Sequence, residues 1–252
     1  MIRAVLIWLL LAVPAFAEGE DIVAGLSQNR VSITADFEGS EILIYGAVRR
    51  TAPVPDGALH VIITVEGPST PLTVRKKDRT AGIWINTESV QIASAPSFYA
   101  IATTGRLNEI LSETENLRHQ ITIPRAIRAV GISQQAQNAP DFLAALIRVR
   151  EAEDRFRLNE RSVQFTEATL FRTDVILPAN LTEGLYRVRI FLTRDGAVVD
   201  RIERQINVRK EGLERFLFNL SRDQPLIYGL LSLLIAVVAG YGASAAFRLI
   251  KR

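Results

Sequence analysis

The residue types that carry most protein chemistry are scarce in this sequence. The 252-residue chain has no cysteine, its single methionine is Met1, and its two histidines are His60 and His119. The histidines lie in different segments, and neither has a companion at the spacing that a zinc or copper site requires. The sequence therefore predicts no disulfide, no thiolate nucleophile, no metal site and no cofactor.

Hydroxyl and carboxyl groups offer a weaker route to catalysis. The sequence contains none of the short motifs that mark a serine-hydrolase elbow, a phosphate-binding P-loop or a zinc protease. Glu151 and Glu153 stand two residues apart on a predicted helix, so they do not face each other and are better explained as surface groups. We predict no catalytic residue, and a hydrolase with a site assembled from distant segments remains an alternative.

The N-terminus has the pattern of a cleavable export signal. Arg3 precedes an apolar run over residues 4–13, Pro14 ends the run, and Ala15-Phe16-Ala17 supplies small residues for a cleavage site. The run is shorter than the roughly 20 apolar residues of a spanning helix, and acidic residues follow it at once. We predict a signal peptide over residues 1–17, with a retained N-terminal anchor as the weaker interpretation.

The C-terminus has the pattern of a membrane anchor. Residues 226–247 contain no Asp, Glu, Lys or Arg. An uncharged segment of this length can cross the hydrocarbon core as a helix. Arg248, Lys251 and Arg252 follow, and the positive-inside rule places such a basic tail, residues 248–252, in the cytoplasm. We expect a single-pass protein of the bacterial inner membrane with its large domain in the periplasm.

The basic isoelectric point, about 9.4, does not indicate a nucleic-acid partner. Once Arg3 and the three basic tail residues are set aside, 26 basic residues face 27 acidic ones over residues 18–225. Nucleic-acid binding needs a concentrated positive surface. The run Arg75-Lys76-Lys77 with Arg79 is too short to supply one, so we interpret it as a solvated strand end or turn.

Residues 18–104 have the pattern of a β-rich subdomain. Short apolar runs are separated by Gly, Pro, Asn and Asp at fairly regular spacing, which favours an antiparallel sandwich over a parallel α/β sheet. Trp84 lies in one of these runs, and we interpret it as a core aromatic, with a recognition role as the alternative. The predicted strands include residues 31–35, 42–45, 61–65, 72–74, 83–85, 90–92 and 98–102.

In residues 105–161 the spacing of apolar residues changes to that of a helix. One helix is predicted from near Gly105, with an apolar stripe made by Leu107, Ile110, Leu111, Thr114 and Leu117. A second begins at Asn138, followed by Pro140 and Asp141, and its apolar side is made by Phe142, Leu146, Val149 and Phe156. Its charged pairs, Glu151 with Arg155 and Glu153 with Arg157, favour a solvated face over a partner-docking surface.

The sequence pattern of residues 162–209 again predicts strands, and this segment gives the clearest indication of the fold. Leu185–Thr193 alternates with Tyr186, Val188, Ile190 and Leu192 on one face, Asp195-Gly196 predicts a hairpin turn, and residues 198–208 form the return strand. Gly184-x-Tyr186-x-Val188 looks like the sixth strand of an immunoglobulin-like sandwich, where a tyrosine hydroxyl ties the corner to the strand. We predict a mainly β, immunoglobulin-like antiparallel sandwich with α insertions, followed by one transmembrane helix.

Two segments near the membrane suggest contacts. Residues 210–225 carry an amphipathic stripe of Leu213, Phe216, Leu217 and Leu220, which fits either an interfacial helix or a linker helix packed on the sandwich. In the span, Ala236, Gly240 and Ser244 recur at steps of four, and such small residues allow close approach of a second helix. They are a candidate docking face, although small residues are also frequent in membrane helices.

The whole chain resembles the alphaproteobacterial putative transmembrane protein family. The resemblance is carried by Val31-Ser32-Ile33, Asp36-Phe37-x-Gly39, Ile42-x-Ile44-x-Gly46-Ala47-Val48, Gly82-Ile83-Trp84-Ile85-Asn86, Pro96-Ser97-Phe98-Tyr99 and Tyr228-Gly229. That family is uncharacterised, so the resemblance implies no activity or catalytic residue. It does imply genes often found beside a sulfite-exporter-like permease, and with them an accessory role to a membrane transporter.

Three hypotheses of function follow. The preferred one is a non-enzymatic accessory or interaction subunit that docks on an integral membrane partner. The alternatives are a periplasmic ligand-binding or sensing domain, which needs a concave pocket with convergent polar groups, and the dispersed-site hydrolase, which needs perturbed carboxyl groups in a cleft.

Overall fold

The computed structural model describes residues 19–34, 37–51, 53, 56–129, 138–210 and 213–250. The predicted signal peptide and the tail residues Lys251 and Arg252 lie outside this part of the chain. The strands are β1 (Glu20–Leu26), β2 (Arg30–Ile33), β3 (Gly39–Arg50), β4 (Leu59–Glu66), β5 (Ser69–Thr80), β6 (Ile83–Pro96), β7 (Tyr99–Thr103), β8 (Phe156–Asn159), β9 (Gln164–Thr166), β10 (Leu170–Pro178), β11 (Gly184–Arg194) and β12 (Ala197–Lys210). The helices are α1 (Leu107–Ile110), α2 (Glu113–His119), α3 (Ile123–Ala126), α4 (Ala139–Ala152), α5 (Leu213–Asp223) and α6 (Pro225–Ile250).

The strands form two packed sheets and a separate hairpin. The four-stranded sheet has the order β1-β3-β10-β9, the six-stranded sheet has the order β2-β12-β11-β4-β7-β8, and β5 pairs with β6 alone. Strands from residues 18–104 and from residues 162–209 occur in both large sheets, so the two predicted β segments form one sandwich. The predicted mainly β fold with one C-terminal apolar helix is confirmed.

Two pairings depart from the expected antiparallel arrangement. β2 runs parallel to β12, and β8 runs parallel to β7. Parallel neighbours need a long connection, and both pairs have one: β2 and β12 come from opposite ends of the domain, while the helices lie between β7 and β8. The remaining strand pairs are antiparallel.

The main core fills the space between the two sheets. The predicted alternation of β11 is confirmed, because Tyr186, Val188, Ile190 and Leu192 are all fully buried in this core. The return strand contributes Ile206 and Val208. At the hairpin between them, Asp195 and Gly196 both have positive φ, the backbone of a tight type I′ turn.

A second core lies on the other face of the six-stranded sheet. Ile62 and Phe191, which are register partners on β4 and β11, point away from the sandwich and are fully buried against the helical segment. Both faces of β4 therefore pack against an apolar layer, which explains why the consecutive residues Val61, Ile62 and Ile63 are all apolar and buried. The second core also contains Ile92, Ala95, Tyr99, Ile101, Leu107, Ile110, Leu111, Ile121, Ile123, Ile127, Leu146 and Phe156.

The helical segment differs from its prediction at two places. The first predicted helix is broken into α1 and α2, because Leu111 is extended and Ser112 caps the next helix by accepting a hydrogen bond from the Glu115 amide. As a result Thr114 and Leu117 do not share the buried stripe and are exposed. A local cap therefore overrides the continuous 3.6-residue pattern.

The second helix ends earlier than predicted. α4 stops at Ala152, Asp154 has positive φ, and Phe156 begins β8, so the predicted helix side was wrong at Phe156. It was also wrong at Val149, which is 50% exposed. The helical pairs Glu151 with Arg155 and Glu153 with Arg157 are not formed. Instead, Glu153 contacts Arg150 and Arg155, and Asp154 contacts Arg157.

Candidate membrane and interaction surfaces

One helix in the described part of the chain is long and apolar enough to cross a membrane. The candidate span covers Pro225–Ser244 within α6, in agreement with the predicted span of residues 226–247. Pro225 is the first residue of this helix. A backbone N–H at this position has no acceptor within the helix, so its absence in proline costs little. Arg248 lies in the last turn of α6.

The small residues of α6 form an open face. At 100° per residue, Ala236, Gly240 and Ser244 lie on one side of the helix, and Gly229 falls on the same side. Ala236, Gly240 and Ser244 are all exposed, and a Cβ atom built at Gly229 or Gly240 meets no atom within 4 Å. The structure therefore places these small residues on one side of α6, and the rest of the described span is equally exposed.

The juxtamembrane segment folds as α5, which leads directly into the span. Gln224 donates its amide to the Leu220 carbonyl at 3.1 Å, and Tyr228 donates to the Gln224 carbonyl at 3.1 Å, so the helical bonding crosses the junction. The described apolar side chains of α5, Leu217, Phe218 and Leu220, belong to neither core. This observation favours a helix near the membrane over one packed on the sandwich.

The β5–β6 hairpin is the most exposed element of the sandwich domain. Its first residues pack on the second core through Leu72 and Val74, whereas every residue from 75 to 89 is exposed. We call residues 75–89 the hairpin tip. Ala81 and Gly82 form its two-residue turn, both with positive φ.

The hairpin tip combines apolar and basic side chains. Ile83, Trp84 and Ile85 are 65%, 68% and 40% exposed, so the preferred interpretation of Trp84 as a core residue was wrong. The aromatic side chain lies beyond the end of the second core, where the strand has left the helices. Arg75, Lys76, Lys77 and Arg79 are exposed on the facing strand, as predicted, and Arg79 is the register partner of Trp84.

A cleft lies between this hairpin and α4. Its volume is about 600 Å³, and basic side chains line it from both sides, Arg75 and Lys76 from β5 and Arg148 from α4. Asp141 is the acidic lining residue, and Phe142 forms part of the apolar lining. Sequence reasoning missed this cleft because Arg148 and Arg75 are far apart in the chain.

The two histidines are held by local contacts and lie in separate settings. His60 Nδ1 is 3.1 Å from the Thr104 hydroxyl, and His119 Nε2 is 3.2 Å from a Glu115 carboxylate oxygen. The pKa of His119 is lowered, chiefly by burial and further by Arg201 and Arg118, while Glu115 opposes the shift. Among the described residues, no group of three or more histidines, aspartates and glutamates is arranged to hold a metal ion.

A buried polar network joins the sheet to the helices. The guanidinium group of Arg189 donates to the His119 carbonyl at 2.7 Å and to the Tyr99 hydroxyl at 2.9 Å. Tyr99 in turn donates to the Ile121 carbonyl at 2.8 Å, and burial raises the pKa of Tyr99 to about 12. These contacts satisfy the carbonyl groups at the end of α2, so the network fixes the helical layer.

Glu20 forms a buried ionic cluster at one end of the sandwich. Its carboxylate contacts Arg50 of β3 and Arg194 of β11, each at 2.7 Å, and so joins both sheets. Burial by itself raises the pKa of Glu20, but hydrogen bonds from Arg194 and Arg50 outweigh it and hold the pKa below its ordinary value. A general acid needs the opposite shift, so this carboxylate is suited to holding strands together.

Glu113 is the other described carboxyl group with a lowered pKa. It is exposed, and hydrogen bonds from Asn116 and Arg125 at 3.0 and 2.7 Å stabilise its charged form. Neither Glu20 nor Glu113 therefore has the raised pKa that a dispersed hydrolytic site would need.

Comparison with known protein families gives a match over most of the chain. A family described as "Putative transmembrane protein (Alph_Pro_TM)" matches residues 21–249, which include the sandwich, the helical layer, α5 and nearly all of α6. No curated protein matches the chain.

Proposed function

The chain belongs to this alphaproteobacterial family of transmembrane proteins, and on that premise we propose that it is a single-pass accessory subunit that docks on an integral membrane partner. The observation that carries the proposal is the clustering of Gly229, Ala236, Gly240 and Ser244 on one side of α6. A helix that only anchors a domain needs apolar length, whereas a docking helix needs a surface where another backbone can approach.

The orientation that we propose places the sandwich in the periplasm and the C-terminus in the cytoplasm. It is supported by the basic residues Arg248, Lys251 and Arg252 after the span. Because the chain has no cysteine, Thr166, which is exposed on β9, can be replaced as Thr166→Cys to give one thiol. A membrane-impermeant maleimide should label it in intact spheroplasts; labelling only after lysis would reverse the orientation.

We also propose that the domain is a variant of the immunoglobulin-like sandwich. The order β1-β3-β10-β9 corresponds to the A-B-E-D sheet of that fold, and β12-β11-β4 corresponds to G-F-C. The Tyr186 hydroxyl donates to the Thr182 carbonyl at 2.9 Å, which is the contact of a tyrosine corner. The hairpin and helices are then an insertion between the third and fourth strands of the fold.

The partner class that best fits a small-residue docking face is another transmembrane helix of an integral membrane protein, such as a transporter permease. Such a partner supplies the apolar surface that lipid otherwise provides, and close packing supplies the attraction. The sandwich then stands beside the partner at the membrane surface, held there at high effective concentration.

Site-specific crosslinking in native membranes tests the docking face. Ala236→Cys places a single thiol on that face, and Val238→Cys places a matched thiol on the opposite side of the helix, about 200° away. Val238 is also exposed, so both thiols are accessible. We expect a crosslinked adduct from position 236, with the partner identified by mass spectrometry, and little from position 238.

A second pair of variants tests whether the small side chain itself matters. Gly240→Leu, on the docking face, should reduce the adduct roughly tenfold, the effect of losing about 1.4 kcal/mol of packing. Gly242→Leu makes the same change about 200° away and should leave the adduct unchanged. Equal crosslinking at positions 236 and 238, or an adduct containing only a second copy of this chain, would contradict the proposal.

A further inference from the structure

The β5–β6 hairpin leaves the sandwich at the same end of the sheet as β12, the strand that precedes the membrane anchor. The β4–β7 ladder continues into it without a break, because Gly67 donates to the Phe98 carbonyl at 2.8 Å and Ser97 donates to the Pro68 carbonyl at 2.9 Å. Glu66, at this end of β4, shares a register row with Arg187 of β11, which pairs in turn with Gln205 of β12. β12 then runs on past this row to Lys210 and so to the anchor.

The hairpin is long enough to reach the bilayer. At about 3.3 Å per residue, the ladder from Glu66 to the turn at Thr80 spans roughly 45 Å when extended. From the same row, the rest of β12 and the eleven residues of α5 span roughly 35 Å before the apolar helix begins. The two lengths are comparable, so the tip lies at the depth where α6 enters the membrane if α5 continues the direction of β12.

The side chains of the hairpin tip suit an anionic membrane surface. Tryptophan favours the boundary between water and lipid, where the ring is partly buried, and the neighbouring isoleucines can enter the acyl region. The tip carries four basic side chains against two acidic ones, Asp78 and Glu88. Basic residues next to exposed apolar ones are attracted to anionic headgroups.

We propose that the hairpin tip inserts Ile83, Trp84 and Ile85 into the surface of an anionic phospholipid bilayer and so gives the domain a second membrane contact. The cleft beside α4 contributes to the same contact, since Arg75, Lys76 and Arg148 line a space of about 600 Å³ behind the tip. An anionic headgroup in this space would meet three cations and one carboxylate, that of Asp141. Two contacts would restrain the sandwich beside its anchor, whichever side of the membrane it occupies.

Tryptophan fluorescence of the full chain tests this proposal directly. The sequence has two tryptophans, Trp8 in the predicted signal peptide and Trp84, so Trp8→Phe leaves Trp84 as the single reporter. The chain is reconstituted in vesicles of phosphatidylcholine alone or mixed with phosphatidylglycerol. With phosphatidylglycerol, we expect blue-shifted emission, strong quenching by lipids brominated on their acyl chains, and weak quenching by acrylamide.

Charge variants test the electrostatic part. Lys76→Gln and Lys77→Gln should each lower the ratio of inserted to free tip roughly fivefold, and added salt should lower it as well. Arg161→Gln and Arg172→Gln remove exposed cations outside the hairpin and should change nothing. Since these measurements use the purified chain without a partner, they can fail while the crosslinking at Ala236 succeeds.

Three results would overturn the proposal. Trp84 quenched by acrylamide and not by brominated lipid would mean that the tip stays in water. Equal insertion into both vesicle types would remove the role of the basic residues. Protection of Trp84 from both quenchers would assign the tip to a contact with a second copy of the chain.

Discussion

Replacing Glu20 with glutamine is expected to lower the free energy of unfolding of the sandwich by about 3 to 5 kcal/mol. The Glu20 side chain is 5% exposed, and its partners Arg50 and Arg194 are 14% and 11% exposed. Glu20→Gln leaves both guanidinium groups buried without a countercharge, which costs more than the loss of a surface ion pair. Denaturant unfolding of the full chain in detergent, followed by circular dichroism, measures the change.

The neighbouring residue supplies the control. Asp21 pairs with Arg49 on the surface, so Asp21→Asn should cost no more than about 1 kcal/mol. Equal effects of the two variants would contradict a buried cluster.

The same carboxylate predicts how stability depends on pH. The folded state holds the pKa of Glu20 below its ordinary value of 4.5, so the ionised form stabilises the fold above that pH. This contribution is lost as pH falls below about 4.5 and through the lowered pKa of the folded state. In Glu20→Gln that part of the acid destabilisation should be absent.

Replacing Phe191 with alanine is expected to cost about 3 to 5 kcal/mol, since a fully buried ring is removed where the sheet meets the helices. The ring lies 5.5 Å from the His119 ring, centroid to centroid, and the Arg189 guanidinium carbon is 5.3 Å from its centroid. The variant therefore removes an apolar contact and weakens the polar network at the end of α2.

Thermal unfolding of the Phe191→Ala chain, with hydrogen exchange of the amides in α2, checks this expectation. We expect the α2 amides to lose protection, because the helix is held to the sheet through this region. Leu185→Ala removes an apolar side chain from the same strand at a position that is 59% exposed, and it should change stability by less than about 0.5 kcal/mol. Similar losses for both variants would mean that the helices do not pack on β11.

Local sequence patterns predicted the elements whose signals lie close together in the chain. The alternation of apolar and polar residues predicted β11 and β12, and Asp195-Gly196 predicted the turn between them. The uncharged segment predicted α6. The amphipathic pattern of residues 210–225 predicted a helix there, and α5 was found over Leu213–Asp223. In each case the physical cause, a periodic apolar face or a backbone turn, acts within a few residues.

Long-range contacts account for what the sequence did not predict. The sequence predicted Trp84 in the core because the apolar segment around it resembles the buried strands. Only the structure shows that the hairpin extends beyond the core at this residue. Phe156 fits a helical stripe equally well, but pairing with Tyr99 on β7 draws it into a strand. The Glu20 cluster joins residues that are 30 and 174 positions apart, a distance at which no pattern is visible.

By itself, the sequence determined that this is a mainly β domain followed by one apolar helix, because composition and periodicity are properties of neighbouring residues. The tertiary structure alone decided that two β segments make one sandwich, that helices cover the second face of its six-stranded sheet, and that the basic residues and Trp84 lie together on an exposed hairpin. Those outcomes depend on which surfaces meet after the chain has folded, and a linear pattern carries no such information.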